Sequence, residues 1–233
     1  MTLFAWPPQS LVNRVLPKNK VYANARLSTR LKEAFVSDLD RIVWRAKLAP
    51  ETIRLTATKD VPEIQVFELA LRTADINEDI PRTIDKAIPF PILFELAFEG
   101  KVKMLAAWKR PQNQNQGGGS GQWTVGDYLA TPWVPAVSRR ETLPVALNMS
   151  GLYEQMLRAF APQPARRGET MAEHMERLAR IRALEMEAEK LERRLTQEKQ
   201  FNRKVEINGQ VRMVRSEIVA LSEESPREER GRP

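Results

Sequence analysis

The sequence predicts an α+β fold: a mixed, largely antiparallel sheet with helices, followed by a long C-terminal helical (coiled-coil) arm. Three observations carry this. Residues 62–110 hold three strand patterns, with a short helix pattern between the first two. Glu99-Gly100 leaves only a tight two-residue turn between the second and third strands, which makes them an antiparallel hairpin. From Thr170 onward the chain is rich in Glu, Arg and Leu, has apolar residues three and four apart, and meets no Pro or Gly until Gly209.

Residues 1–27 read as irregular, broken by Pro7, Pro8 and Pro17. Ser28 is placed to cap a helix running from Thr29 towards Leu39, because Leu27, Leu31, Phe35 and Leu39 form one stripe. Ile42, Trp44, Ala46 and Leu48 then alternate as a strand starting near Arg41; a helix extended to Lys47 is the rival, and Pro50 ends either one. The β-branched stretch from Thr52 to Thr58 suits a short edge strand. Glu63 to Leu71 is apolar on both faces, as in a strand covered on both sides. Asp79 is placed to cap a short helix with Pro81 in its first turn and Ile80, Ile84 and Ile88 along one face. Pro89 and Pro91 stop that helix and launch the strand from Ile92 to Phe98; Lys101 to Lys109 returns beside it.

Residues 112–122 have the Gln, Asn, Gly and Ser composition of a flexible loop, and no Gly-Lys-Ser/Thr follows to make it a phosphate-binding loop. Trp123 to Leu129 resumes as a short strand or turn, and Pro132, Trp133, Pro135 and Pro144 mark an extended wrapping segment. Ser150 is placed to cap a helix from Gly151 to Phe160.

The organisation that follows is an α+β domain over 1–160, a Pro-rich linker over 161–168, a helical arm over 169–222 and a disordered tail over 223–233. Thr170-Met-Ala-Glu173 is a capping-box signature. Met171, Met175, Leu178, Ile181, Leu184, Ala188, Leu191 and Leu195 make a coiled-coil seam with one irregular step. Such a helix reaches about 45–60 Å and needs either a folded-back helix or a second chain to cover its seam. Val211, Val214, Ile218 and Leu221 offer the first; Asn208-Gly209 is then either the turn or a point within one longer helix.

The chain has no cysteine, which excludes disulfides, thiolate metal sites and cysteine nucleophiles. Its first residues lack a basic segment followed by a long apolar run, so no signal peptide is expected. No stretch approaches the roughly 20 apolar residues of a membrane span, so a cytoplasmic protein without membrane contact is expected. The net charge of +7 is concentrated in the first 60 residues. Lys18, Lys20, Arg26, Arg30, Arg45, Lys47 and Lys59 are the nucleic-acid candidates there, and Arg203 and Lys204 are those of the distal arm.

The one histidine, His174, reads as an exposed helix residue. Its isolation removes serine triads and multi-histidine zinc sites. Metal chemistry would fall to carboxylates and so to Mg²⁺ or Mn²⁺. Asp60, Glu63, Asp85 and Glu95 are the candidates, with Lys103 to stabilise developing charge, in a Mg²⁺-dependent nuclease site. Edge or paired structural roles are the competing reading, and no cofactor is expected outside the nuclease case.

Three blocks carry a resemblance. They are Thr58-Lys-Asp-Val-Pro-Glu-Ile-Gln65, Thr83-Ile-Asp-Lys-Ala-Ile-Pro-Phe-Pro91 with Lys109-Arg-Pro111, and Glu198-Lys-Gln-Phe-Asn-Arg-Lys-Val-Glu206. In order and wording they resemble a prokaryotic family described as domain of unknown function 4391, over nearly the whole chain. The resemblance supplies no catalytic residues. It implies a setting beside helicase and DNA methyltransferase genes of restriction-like, phage-defence clusters. The leading expectation is therefore an accessory subunit of such a system. It would bind DNA or dock helicase and methyltransferase partners, with 169–222 also a candidate homodimer surface. A carboxylate-metal nuclease subunit and a structural adaptor without nucleic-acid contact are the alternatives.

Overall fold

The computed structural model describes residues 3–18, 27–111 and 123–223. It divides into two compact units, Met1–Pro162 and Gln163–Pro233. No helix among the described residues is long and apolar enough to cross a membrane.

The first unit is built on one seven-stranded sheet. Its strands are β1 (Leu11–Leu16), β2 (Leu39–Leu48), β3 (Ile64–Leu71), β4 (Ile92–Phe98), β5 (Lys101–Pro111), β6 (Trp123–Ala130) and β7 (Val134–Pro135). They lie in sequence order from β1 to β6, while β7 pairs with β5. Among these seven strands β3 and β4 pair in parallel and the other neighbours pair antiparallel. The sheet is thus mixed and mostly antiparallel, with helices α1 (Thr29–Ser37), α2 (Pro50–Ile53), α3 (Asp79–Ala87) and α4 (Met149–Phe160) around it.

The parallel step requires a crossover, and α3 supplies it between β3 and β4. Its Ile80 and Ile84 pack on Phe67, Leu69, Phe94 and Leu96, with Phe35 of α1 in the same cluster. Each such buried isoleucine contributes about 1.5–3 kcal/mol of transfer free energy. Successive strand residues face opposite ways, so Val66, Leu93, Met104 and Ala106 fill the other face and are buried too. At the end of β4, Glu99 and Gly100 both take positive φ, 44° and 72°, which suits a right-twisted hairpin turn.

The structure corrects several expectations. Residues 11–16 form β1 at a sheet edge; the alternation is broken because Asn13 has φ of 50° and the register shifts there. The stretch from Thr52 to Thr58 is no strand. Pro50 starts the single turn α2, Arg54 ends it in left-handed geometry, and only Thr56 forms a bridge, to Asn148. Asn148, not Ser150, caps α4, accepting the Gly151 amide at 2.9 Å. Asp79 is the first residue of α3 rather than its cap, and its amide donates to Asn77. The expected flexible loop over 112–122 lies outside the described residues, as does the expected tail beyond 223.

The described residues of the second unit form two helices, α5 (Met171–Gln197) and α6 (Phe201–Ser222). Thr170 and Glu173 form the reciprocal capping box at the start of α5. The helices fold back on each other, with Leu191, Ile207 and Val211 packed together beside Leu195 and Val214. Ion pairs Arg180–Glu217 and Arg215–Glu192 cross between them. The reversal is at residues 198–200, and Gly209 lies inside α6. The seam explains the position. After Leu195 its next places fall on Glu198 and Asn202, so there is nothing more to bury, and the Glu198 carboxylate accepts the amides of Lys199 and Gln200.

Candidate functional site

Asp85 sits in the last turn of α3 and Lys109 near the end of β5; both side chains are fully buried. The Lys109 ammonium donates to the carbonyls of Asp85 and Ile88, closing the C-terminal end of α3, and lies 3.8 Å from the Asp85 carboxylate. The Tyr128 hydroxyl donates to the same carboxylate. Arg82 stacks over the Tyr128 ring at 5.3 Å. On β6, Gly126 and Asp127 together oppose Trp108, a bulge. Beside it, the Tyr153 hydroxyl accepts the Lys109 amide at 3.1 Å and donates to the Ala107 carbonyl.

Burial disfavours charge on both members of this pair. It pushes the Asp85 carboxyl up to about 6, against the pull of Lys109, and pushes the Lys109 ammonium down to about 8, against the pull of Asp85. Burial also raises the Tyr128 and Tyr153 hydroxyls, and the Asp85 charge adds to both shifts. The cluster joins α3, α4, β5 and β6 through satisfied polar groups.

Glu95 points the other way. It alternates with Phe94 and Leu96, which face α3, so it lies across the sheet from Asp85. Arg140 grips its two oxygens in a two-point contact and donates to the Phe4 carbonyl at 3.0 Å. Beside Glu95 in register stands Glu68, paired with Arg45 at 3.2 Å and Arg41 at 4.0 Å. Glu63 takes Lys47 at 2.9 Å and the Gln65 amide at 2.6 Å. Asp60 is exposed in a turn closed by Thr58. Lys103 lies 5.3 Å from the centre of the Trp133 ring. Asp85 and Glu95 therefore lie on opposite faces of the sheet, and no group of three or more Asp, Glu or His side chains among the described residues is placed to hold a metal ion.

The basic candidates are divided too. Lys18 donates to the Leu39 carbonyl, Arg45 bonds Glu68 and Asn13, and Lys47 bonds Glu51 and Glu63. Hydrogen bonds to Glu63 and then Glu51 raise the Lys47 ammonium above its ordinary value. Arg30 and Lys59 are exposed on the first unit. Lys20 and Arg26 lie outside the described residues. Arg203 and Lys204 are exposed side by side in the first turn of α6.

In the second unit Glu169 holds Arg177 through two contacts, and the Arg177 hydrogen bonds bring the carboxyl down to about 2. His174 is buried, not exposed, with its Nε2 2.9 Å from the Gln163 carbonyl oxygen.

Residues 4–218 match the family model described as Domain of unknown function (DUF4391). The chain belongs to the DUF4391 family. No curated protein and no solved structure matches it. In this DUF4391 chain the first resemblance block forms the Thr58 turn and the start of β3. The second carries Asp85 and Lys109, and the third forms the reversal into α6. Sequence reasoning missed Arg140, Tyr128 and Tyr153. Their partners lie 45, 43 and 46 residues away, and no local pattern points to them.

Proposed function

We propose that this chain is a non-catalytic accessory subunit of a DNA-processing defence assembly, acting in the cytoplasm with helicase and DNA methyltransferase partners. The observation that carries the reading is the fate of the acids. Glu63, Asp85 and Glu95 are each bound to a cation of the fold, and the sheet itself separates Asp85 from Glu95. A metal nuclease needs converging carboxylates with open coordination positions.

Docking is assigned to the second unit. Val205, Met213 and Val219 are exposed along α6 although the helix already buries Ile207 and Val211 on another face. A helix apolar on two faces takes a second neighbour. A partner helix, or the same helix of a second copy, would complete it as a coiled coil. Co-expression with the neighbouring helicase and methyltransferase, followed by size-exclusion chromatography, tests this. Co-elution supports it, and Mg²⁺-dependent DNA cleavage by the chain alone overturns the non-catalytic part.

A further inference from the structure

We infer that the connected end of the α5–α6 hairpin is a contact site for single-stranded nucleic acid, with the Phe201 ring as a stacking face. The inference names a ligand for the accessory subunit and rests on that reading only for the assembly it serves; binding itself is a property of this chain.

Residues 169–233 carry equal numbers of basic and acidic side chains. Along the shaft Arg177, Arg180, Arg193 and Arg215 are paired with Glu169, Glu217, Glu189 and Glu192. At the end Lys199, Arg203 and Lys204 cluster within residues 199–204; like Arg182, Lys190, Arg194 and Arg212 of the shaft they form no close ion pair among the described residues, while the Glu198 charge acts on Arg203 and Lys204. The acids there are Glu198 and Glu206. The Glu198 carboxylate is engaged by the amides of Lys199 and Gln200, at 2.8 and 2.9 Å. Residues 201–206 are all exposed, and Phe201 is 77% exposed at the first position of α6.

An aromatic ring standing in water beside exposed cations is the pairing that single strands use: cations follow the phosphates while bases stack on the ring. A duplex hides its base faces, so Phe201 would add little there. A second copy meeting this end symmetrically would set Lys199, Arg203 and Lys204 against their own equivalents, which like-charge repulsion opposes. An anionic, unstacked strand satisfies both the charge and the ring.

The test is fluorescence anisotropy of the full chain with labelled oligo-dT and oligo-rU of about 20 nucleotides and a matched duplex, across a salt series. Wild type is expected to bind the single strands with affinity that falls with salt. The dT and rU arms show whether DNA, RNA or both are held. Phe201→Ala is expected to weaken single-strand binding about tenfold with the salt slope unchanged. Arg203→Gln with Lys204→Gln is expected to flatten the slope. Both changes are at exposed positions, so an unchanged circular dichroism spectrum accompanies them. Absence of single-strand binding at low salt, equal binding by Phe201→Ala, or a loss of self-association in that variant at unchanged affinity would each overturn the inference. Failure to co-elute with a helicase or methyltransferase would instead count against the accessory-subunit reading alone.

Discussion

Lys109 caps the helix that carries Asp85: its ammonium donates to the Asp85 carbonyl and stands 3.8 Å from the carboxylate of the same residue. One buried cation thus serves a helix end and a side-chain charge together. Removing it opens the helix end and takes the buried cation from the Asp85 carboxylate, which keeps its Tyr128 hydrogen bond.

Lys109→Met is therefore expected to destabilise the first unit by about 3–5 kcal/mol near neutral pH, the range for breaking a buried pair from one side. The loss should be smaller near pH 5, where Asp85 can be protonated and neutral. Urea unfolding at the two pH values measures the difference.

The pair also sets a pH profile. Asp85 has a raised carboxyl, about 6 against 3.8, so its contribution to stability is present at low pH and is lost between about 4 and 6. Lys109 has a lowered ammonium, about 8 against 10.5, so its contribution is regained as pH rises from about 8 to 10.5. The pair-dependent part of stability has its minimum between about pH 6 and 8. A variant combining Asp85→Asn with Lys109→Met should lose that dip, which denaturant midpoints across pH will report.

Glu169 works with the opposite sign. Its carboxyl lies at about 2 in the folded hairpin against an ordinary 4.5. Its stabilisation is complete above about pH 4.5 and is lost as pH falls through 2. In Glu169→Gln the α5–α6 unit should unfold more readily at pH 6 and lose this acid dependence. Far-UV circular dichroism during thermal melts checks both.

Gly209→Ala separates the two expectations for Asn208-Gly209. The glycine is inside α6 and a Cβ there meets nothing within 4 Å. Alanine should stabilise the helix by about 1 kcal/mol. A destabilised variant, read from the same melts, would mean that the chain turns at this residue.

Much of the fold was legible where local chemistry decides it. Ile80, Ile84 and Ile88 placed α3, Glu99-Gly100 placed the hairpin, and Thr170 with Glu173 placed the start of α5. The rest depended on neighbours distant in sequence. β1 is exposed along most of its length and kinked at Asn13, so no alternation marks it. The reversal at 198–200 contains neither Gly nor Pro and follows from the end of the buried seam. Asp85 and Glu95 were visible as candidate acids, but only the sheet between them shows that they are not one site. Arg140, which engages Glu95, could not be found from spacing at all.

The proposed role of this chain is docking without catalysis. Light scattering on the protein co-expressed with a helicase and a DNA methyltransferase, the proposed partners, decides between these roles. A shared species of larger mass is expected, lost when Val205→Asp and Met213→Asp are introduced together on the exposed face of α6. A monomeric mass in the presence of those partners, unchanged by the two substitutions, would contradict it.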